Sequence, residues 1–438
     1  MWISLHLPDK GPIIAPDEFG YLGNATFIVR GYGHPVNGYF GGYSLLLVPA
    51  AVLRSAPHSF YEAALITNAL LSLVTAALAF LLARRLFPNI HAFAASLVAA
   101  SVVLQPYVFS VAHLAMSENA LVPATLLAAL LLAKYADQRS HPVGVAAGLA
   151  ASLAFWISPR GILVVAAFLL AYLVAWIRSR ERLGELVVIT TTVVASAALS
   201  SVFNRALRGR APVPGVESAQ TFPPLTRAAT WRDFIAGTSG RFAYLGVATM
   251  GLAFVGLWVG AVWLFERRGS VESNGLSPRA IVGVFAAGSV VLTIAFSTIV
   301  TKVSRIDELY YGRYVEGVAM PMVVIGAGWL IAQSRWRMRK LSLLRIALCT
   351  TGAVGMFVVL ARLFPKPPPV SNEASVNVVA VFAIRKVAHL HGYNAPLLFV
   401  GLLAGAILLL GIIDSKLSLI AVAVVFTIGA SSIYYQFR

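Results

Sequence analysis

The chain has 438 residues, of which 59% are hydrophobic and only 12% charged, with a mean hydropathy of +0.81. This excludes a soluble globular domain, because run after run reaches the ~20 apolar residues that cross a bilayer. The formal charge of +17, from 34 basic and 17 acidic residues, would suit nucleic acid in a soluble protein, but here it alternates with membrane spans and no nucleic-acid partner is expected.

Residues 1–58 form a non-spanning segment. Met1–Leu7 is too short, and lacks the charged start, for a secretory signal. Asp17 and Glu18 head a predicted amphipathic helix. Pro16 suits its entry, and Asp17 suits the N-cap or first turn, where the helix dipole favours negative charge. Phe19, Leu22, Thr26 and Val29 recur at helical spacing and are the expected apolar stripe. Gly, Pro, His and Tyr crowd Arg30–Tyr43, and Ser44–Leu53 is apolar but too short to cross, so it reads as an interfacial or re-entrant helix. Spans are predicted at 59–83, 90–111, 118–134, 142–157, 161–178 and 184–203. Tight turns are expected at 113–117 and at Ser158–Gly161, and a loop rich in Pro and Arg at 204–241. Further spans are predicted at 242–264, 280–300, 317–333, 343–361, 396–413 and 417–435, about twelve in all. The single cysteine, Cys349, lies in one of these runs and excludes an intrachain disulfide. The chain thus divides into an external segment 1–58, helices 59–203, an external loop 204–241 and helices 242–438.

Basic clusters at 84–85, 134–139, 178–182, 266–279 and 335–345 fall on alternate loops, which are therefore cytoplasmic. The opposite face carries 1–58, 113–117, 158–160, 204–241, 301–316 and 362–395, so every long loop and the acidic pair share the outer side. That side also holds many arginines, including Arg205, Arg208, Arg210, Arg227, Arg232, Arg241, Arg305 and Arg313. This breaks the usual charge bias, and an anionic ligand or lipid headgroup there accounts for it.

Asp17-Glu18, Tyr21, Ala25, Gly31 and the aromatic-to-proline stretch Tyr39–Pro49 follow one another in the first external segment. Ser117-Glu118-Asn119 stands at the outer start of a span, Trp156–Gly161 at the next outer turn, and Tyr311-Gly-Arg313-Tyr314 in a late outer segment. In this order the chain resembles the GT-C superfamily of polytopic glycosyltransferases, which includes protein O-mannosyltransferases, the lipid A aminoarabinose transferase and actinobacterial arabinofuranosyl- and mannosyltransferases. The resemblance implies an all-α membrane bundle of GT-C type whose external loop carries interfacial helices. It also implies a span ahead of the acidic loop, which would bring the total to 13.

The resemblance further implies a bacterial plasma-membrane enzyme. Its donor would be a polyprenyl-phosphate sugar and its acceptor a glycan, lipid or protein of the cell envelope, with the active site on the outer face among membrane lipids. Transfer would be inverting, with Asp17 as base. A phosphate leaving group needs fixed positive charge rather than an acid, and arginine grips phosphate with parallel N–H donors. Arg160, Arg305 and Arg313, backed by Lys302 and Arg30, are the expected phosphate ligands. Tyr21, Tyr311, Tyr314 and His34 are the expected sugar or acceptor contacts. Glu18 points ~100° away from Asp17 around the helix. It could bind a divalent cation together with Glu118 (Mg, Mn or Ca suit carboxylates and phosphate), hold the acceptor, or orient a neighbour. Each residue also has a plainer role: Glu118 at a helix N-terminus, Arg160 snorkelling to headgroups, Arg305 paired with Asp307 or Glu308, Arg313 in an interfacial belt. A second function class, a secondary transporter or lipid flippase, would place ionisable residues inside the spans, where this sequence has almost none.

Overall fold

The computed structural model describes residues 17–31, 35, 38–54, 56–179, 183–208, 228–249, 251–265, 277–300 and 312–332. The expected spans at 343–361, 396–413 and 417–435 and the segment 362–395 lie outside these. Every regular element among the described residues is a helix. In chain order they are α1 (Asp17–Arg30), α2 (Gly41–Leu53), α3 (Pro57–Leu86), α4 (Ala92–Val103), α5 (Pro106–Val111), α6 (Glu118–Gln138), α7 (His141–Ile157), α8 (Gly161–Ser179), α9 (Leu183–Arg208), α10 (Ala228–Ala248), α11 (Leu252–Phe265), α12 (Pro278–Val300) and α13 (Arg313–Ala332). Six of them, α3, α6, α8, α9, α12 and α13, are long and apolar enough to cross a membrane. The protein is a multi-pass membrane protein.

The helices fall into two compact units. One holds α1, α2, α3 to Leu78, Ser110 through α9, and α12 to Ser289. Its centre is α7, which packs on α2, α6, α8 and α9. Small residues allow this: Gly144 meets Ile189 and Tyr135, and Gly148 meets Val193 and Phe168. Close approach through small residues is how helices associate where lipid removes the hydrophobic drive. Gly42 of α2 lies directly against the backbone of Trp156 in α7. Leu73 of α3 and Val202 of α9 are 63% and 65% exposed, as lipid-facing side chains are.

The other unit holds Ala79–Phe109, α10, α11, the rest of α12 and α13. Here α11 and α13 touch backbone to backbone, Gly256 against Met322 and Gly326 against Leu252.

Four expectations change. The stretch 90–111 is not one span: α4 ends before Leu104–Gln105 and α5 restarts at Pro106, because proline disfavours helix in the residue before it and brings no N–H. The stretch 242–264 is also two helices, joined at Gly251, which takes φ +78°. The segment expected as a loop to 241 is helical from Ala228, and α9 runs on to Arg208. Finally, of the expected stripe only Leu22 is buried: α1 buries Glu18, Tyr21, Leu22 and Ala25, and Phe19 is 54% exposed. The buried stripe starts one residue earlier because Glu18 finds partners inside.

Replacing Gly42 by alanine puts a methyl group into the Trp156 carbonyl. Overpacking of this kind costs about 1–3 kcal/mol, so the melting temperature in detergent should fall, whereas alanine at the open Gly184 should leave it within a degree or two of the parent, about the smaller effect of a surface change.

Candidate active site

The first turn of α1 carries the acidic pair, and the two carboxylates have different surroundings. Glu18 is fully buried. Its Oε1 accepts the Tyr61 O–H at 2.9 Å and the Ala115 backbone N–H at 2.7 Å. It therefore ties α1 to the start of α3 and to the turn at 113–117. Asp17 is half-buried and accepts the Tyr39 O–H at 2.8 Å. The Tyr39 ring lies across Gly20, where any side chain would collide with it. The Tyr39 carbonyl accepts from Asn24 Nδ2 at 3.2 Å.

The second acid joins the same network. Tyr21 O–H donates to Ser117 Oγ at 2.7 Å, and Ser117 Oγ donates to Glu118 Oε2 at 3.2 Å. Arg160 Nη1 pairs with Glu118 Oε1 at 3.5 Å, with Glu118 only 2% and Arg160 22% exposed. Glu118 opens α6 and Arg160 sits in the Ser158–Gly161 turn, closed by Gly161 N–H to Ser158 O at 2.9 Å. Asp17, Glu18, Tyr21, Glu118 and Arg160, all singled out from sequence, thus come together in one unit.

Residues that sequence reasoning missed hold the turn in place. Tyr43 O–H donates to Asn68 Oδ1 at 2.6 Å, and Asn68 Nδ2 donates to Leu114 O at 2.8 Å. Burial pushes the Tyr43 phenol well above its ordinary range, so it serves as a neutral donor. Asn119 Nδ2 reaches the carbonyls of Val111, Leu114 and Met116 at 2.9, 2.9 and 3.1 Å. Tyr61 and Asn68 had a readable signal, being polar groups inside a predicted span. Tyr39 had none beyond its place in an aromatic stretch.

Arg30 stands at the far end of α1, a 14-residue helix, and so about 20 Å along its axis from Asp17. Its Nη2 donates to Ala51 O and Arg54 O, both at 3.4 Å. In the other unit, Arg313 and Tyr314 open α13, and the Arg313 carbonyl accepts from Tyr107 O–H at 3.1 Å. Beside them Tyr244 O–H donates to the buried Glu316 at 3.1 Å. Arg241, expected in an outer loop, is instead a fully buried residue of α10. It donates to Thr298 Oγ1 at 3.1 Å and to Ser297 O at 3.3 Å. His34, Lys302, Arg305 and Tyr311 lie outside the described residues.

A hard divalent cation needs several oxygen ligands. Here Glu18 Oε1 is taken by two protein donors, and Glu118 is neutralised by Arg160. Among the described residues no three His, Cys, Asp or Glu side chains gather.

The described helices form a multi-pass bundle, and α1, ahead of the first long apolar helix, carries a half-buried aspartate. Residues 58–203, from α3 into α9, match the family model of dolichyl-phosphate-mannose-protein mannosyltransferases. Two solved structures of ArnT from Cupriavidus metallidurans share the fold at 17% identity, covering 99% of this chain and 73% of theirs. The apo form has a TM-score of 0.53 and the form bound to undecaprenyl phosphate 0.54. EmbB, an arabinosyltransferase from Mycobacterium smegmatis, is a weaker likeness: TM-score 0.43, 13% identity, 96% of this chain and 39% of that one. At that score it adds nothing to the fold assignment. No curated protein sequence matches the chain.

Glu18→Ala strands the Ala115 N–H in an apolar interior, a loss of about 1–3 kcal/mol. Glu18→Gln keeps an acceptor oxygen and should recover part of that loss. Thermal unfolding of the two variants should rank them in that order below the parent, and a Glu18→Ala protein as stable as the parent would remove Glu18 from the scaffold.

Proposed function

We propose that the protein is a membrane glycosyltransferase. In this reading it moves a sugar from a polyprenyl-phosphate donor to a cell-envelope glycan, lipid or protein, on the outer face of a bacterial plasma membrane and with inversion. The observation that carries the proposal is the unequal acidic pair. Glu18 is spent on the fold, whereas Asp17, one position away, is half-buried and accepts from the Tyr39 hydroxyl. The undecaprenyl phosphate bound to ArnT supports a lipid-phosphate carrier.

The acceptor hydroxyl gives its proton to Asp17 as its oxygen bonds the anomeric carbon. The bond from that carbon to the phosphate oxygen breaks, and the polyprenyl phosphate leaves with the electron pair. Attack opposite the leaving group inverts the carbon. A positioned base contributes about 10²–10⁴ in rate. A phosphate monoester departs as a stable anion, so the protein has to supply charge rather than a proton. Arg160 pairs with Glu118 in the network, and a donor phosphate would share its guanidinium. We also assign Arg313, Lys302 and Arg305 to phosphate binding and Tyr314 to sugar binding on the strength of the sequence pattern alone.

Asp17→Asn, assayed in membranes supplied with a polyprenyl-phosphate sugar, should lose at least about a hundredfold in kcat while keeping the parent melting temperature. Full turnover by this variant would end the role of Asp17 as base, and lipid scrambling or uptake without any glycosyl product would favour a transporter. Tyr39→Phe removes one hydrogen bond to the carboxylate, worth about 1.5 kcal/mol, and should cost about tenfold in kcat with the fold intact.

A further inference from the structure

A groove of about 460 Å³ runs along α1 and is walled by the end of α2 and the start of α3. Its volume falls in the range of pockets that take small molecules, about 300–1,000 Å³. Phe19 and Tyr61 line it, as do Leu22 and Phe60 along its wall, and Arg30 and Arg54 close the set. From Phe19 to Arg30 the helix advances about 16 Å. The walls are apolar, and the polar part is cationic, with no acid in the lining. Glu62, next to Tyr61 in the chain, is outside the lining and faces His58 at 3.9 Å.

The two arginines are held together. Arg30 Nη2 donates to the backbone carbonyl of Arg54 and to that of Ala51, so its guanidinium sits at the C-terminal end of α2. Such an end favours a cation, which gives Arg30 a structural role as well. A second guanidinium on the exposed Arg54 adds like charge that this capping does not need. Two arginines lining one groove suit a phosphate, which arginine binds through parallel N–H donors. Beside them, Val52 and Leu53 are 62% and 78% exposed, an apolar rim suited to acyl chains at the headgroup level.

We infer that this groove binds an anionic phospholipid of the surrounding bilayer, its phosphodiester on Arg30 and Arg54 and an acyl chain laid along Leu22 and Phe60 toward Phe19. The site is distinct from the donor phosphate, because a phosphate leaving at Asp17 is about 20 Å of helix away from Arg30. The inference takes Arg30 out of the donor site. It does not depend on sugar transfer, and its test reads binding alone.

The full-length protein in neutral detergent would be given equal amounts of dioleoyl-phosphatidylglycerol and dioleoyl-phosphatidylcholine, and the adducts weighed by native mass spectrometry. Phosphatidylglycerol should be retained roughly tenfold over phosphatidylcholine, as expected for a charge-assisted contact. Arg30→Gln with Arg54→Gln should erase the preference. Arg54→Gln alone, at an exposed side chain, should halve it or more without touching the α2 cap. Thr26→Trp, which fills the groove and keeps both arginines, should lower occupancy by phosphatidylglycerol. Equal retention of the two lipids, or an unchanged preference in the double variant, would overturn the site. Unchanged occupancy in Thr26→Trp would place the lipid outside the groove. Inorganic phosphate raising the melting temperature as much as phosphatidylglycerol does would make the site one for a free anion.

Discussion

A carboxylate taken wholly out of water is tolerable only if hydrogen-bond donors replace the water, since the uncompensated charge costs several kcal/mol even after relaxation, on the order of 3–5 when a partner is lost. Glu18 meets this condition with the Tyr61 hydroxyl and the Ala115 amide. Both partners lie far from it in the chain, one on α3 and one in the turn before α6. The carboxylate thus fixes α1, a short helix at the entry to the bundle, against two other parts of its unit. Asp17 is the next residue on a rigid helix and inherits that placement.

The turn that Glu18 grips is itself unusual in a membrane protein. Between Val111 and Glu118 the backbone is not helical, and irregular backbone in a bundle must find its hydrogen bonds within the protein. Asn119 supplies them from one amide nitrogen to three carbonyls, Asn68 covers Leu114 as well, and Glu18 takes the Ala115 N–H. The same turn delivers Ser117 and Glu118 to Tyr21 and Arg160. Behind it, α7 is lined with glycine and alanine, so α6, α8 and α9 close on it and hold the two turns in register. Fold and site therefore depend on the same few polar contacts, with apolar packing as their support.

Much of this was legible in the sequence because lipid imposes a simple rule: an apolar run long enough to cross becomes a helix. The spans ending at Leu86 and Ser179 follow that rule closely; the acidic pair is readable as chemistry out of place in an apolar chain, and Tyr21, Glu118 and Arg160 through the family resemblance. The rest was hidden for physical reasons. Hydropathy averages over a break, so the interruptions at Leu104–Gln105 and Gly251 left no mark on it. Apolar spacing does not mark the buried face of α1, because that face is headed by an acid; Phe19, the natural anchor of a soluble helix, lies on the groove side instead. Arg241 was counted as a loop cation because charge is normally outside, whereas threonine and serine oxygens on α12 accept it inside.

Adjacent acids on a helix point about 100° apart, and here that angle separates two incompatible demands. A carboxylate that anchors a fold must be buried and saturated with donors. One that removes a proton must be reachable by substrate. A single residue cannot satisfy both, but two neighbours on one helix can: Glu18 holds the helix that carries Asp17, and Asp17 is restrained by the Tyr39 hydroxyl among its contacts. The third side of α1, from Phe19 to Arg30, is left to the groove. In the proposed reading, one 14-residue helix presents an anchor to the interior, a proton acceptor to substrate and a cationic, apolar face to lipid. Its glycines are part of that economy of space, since Gly20 is where the ring of Tyr39 crosses the helix to reach Asp17.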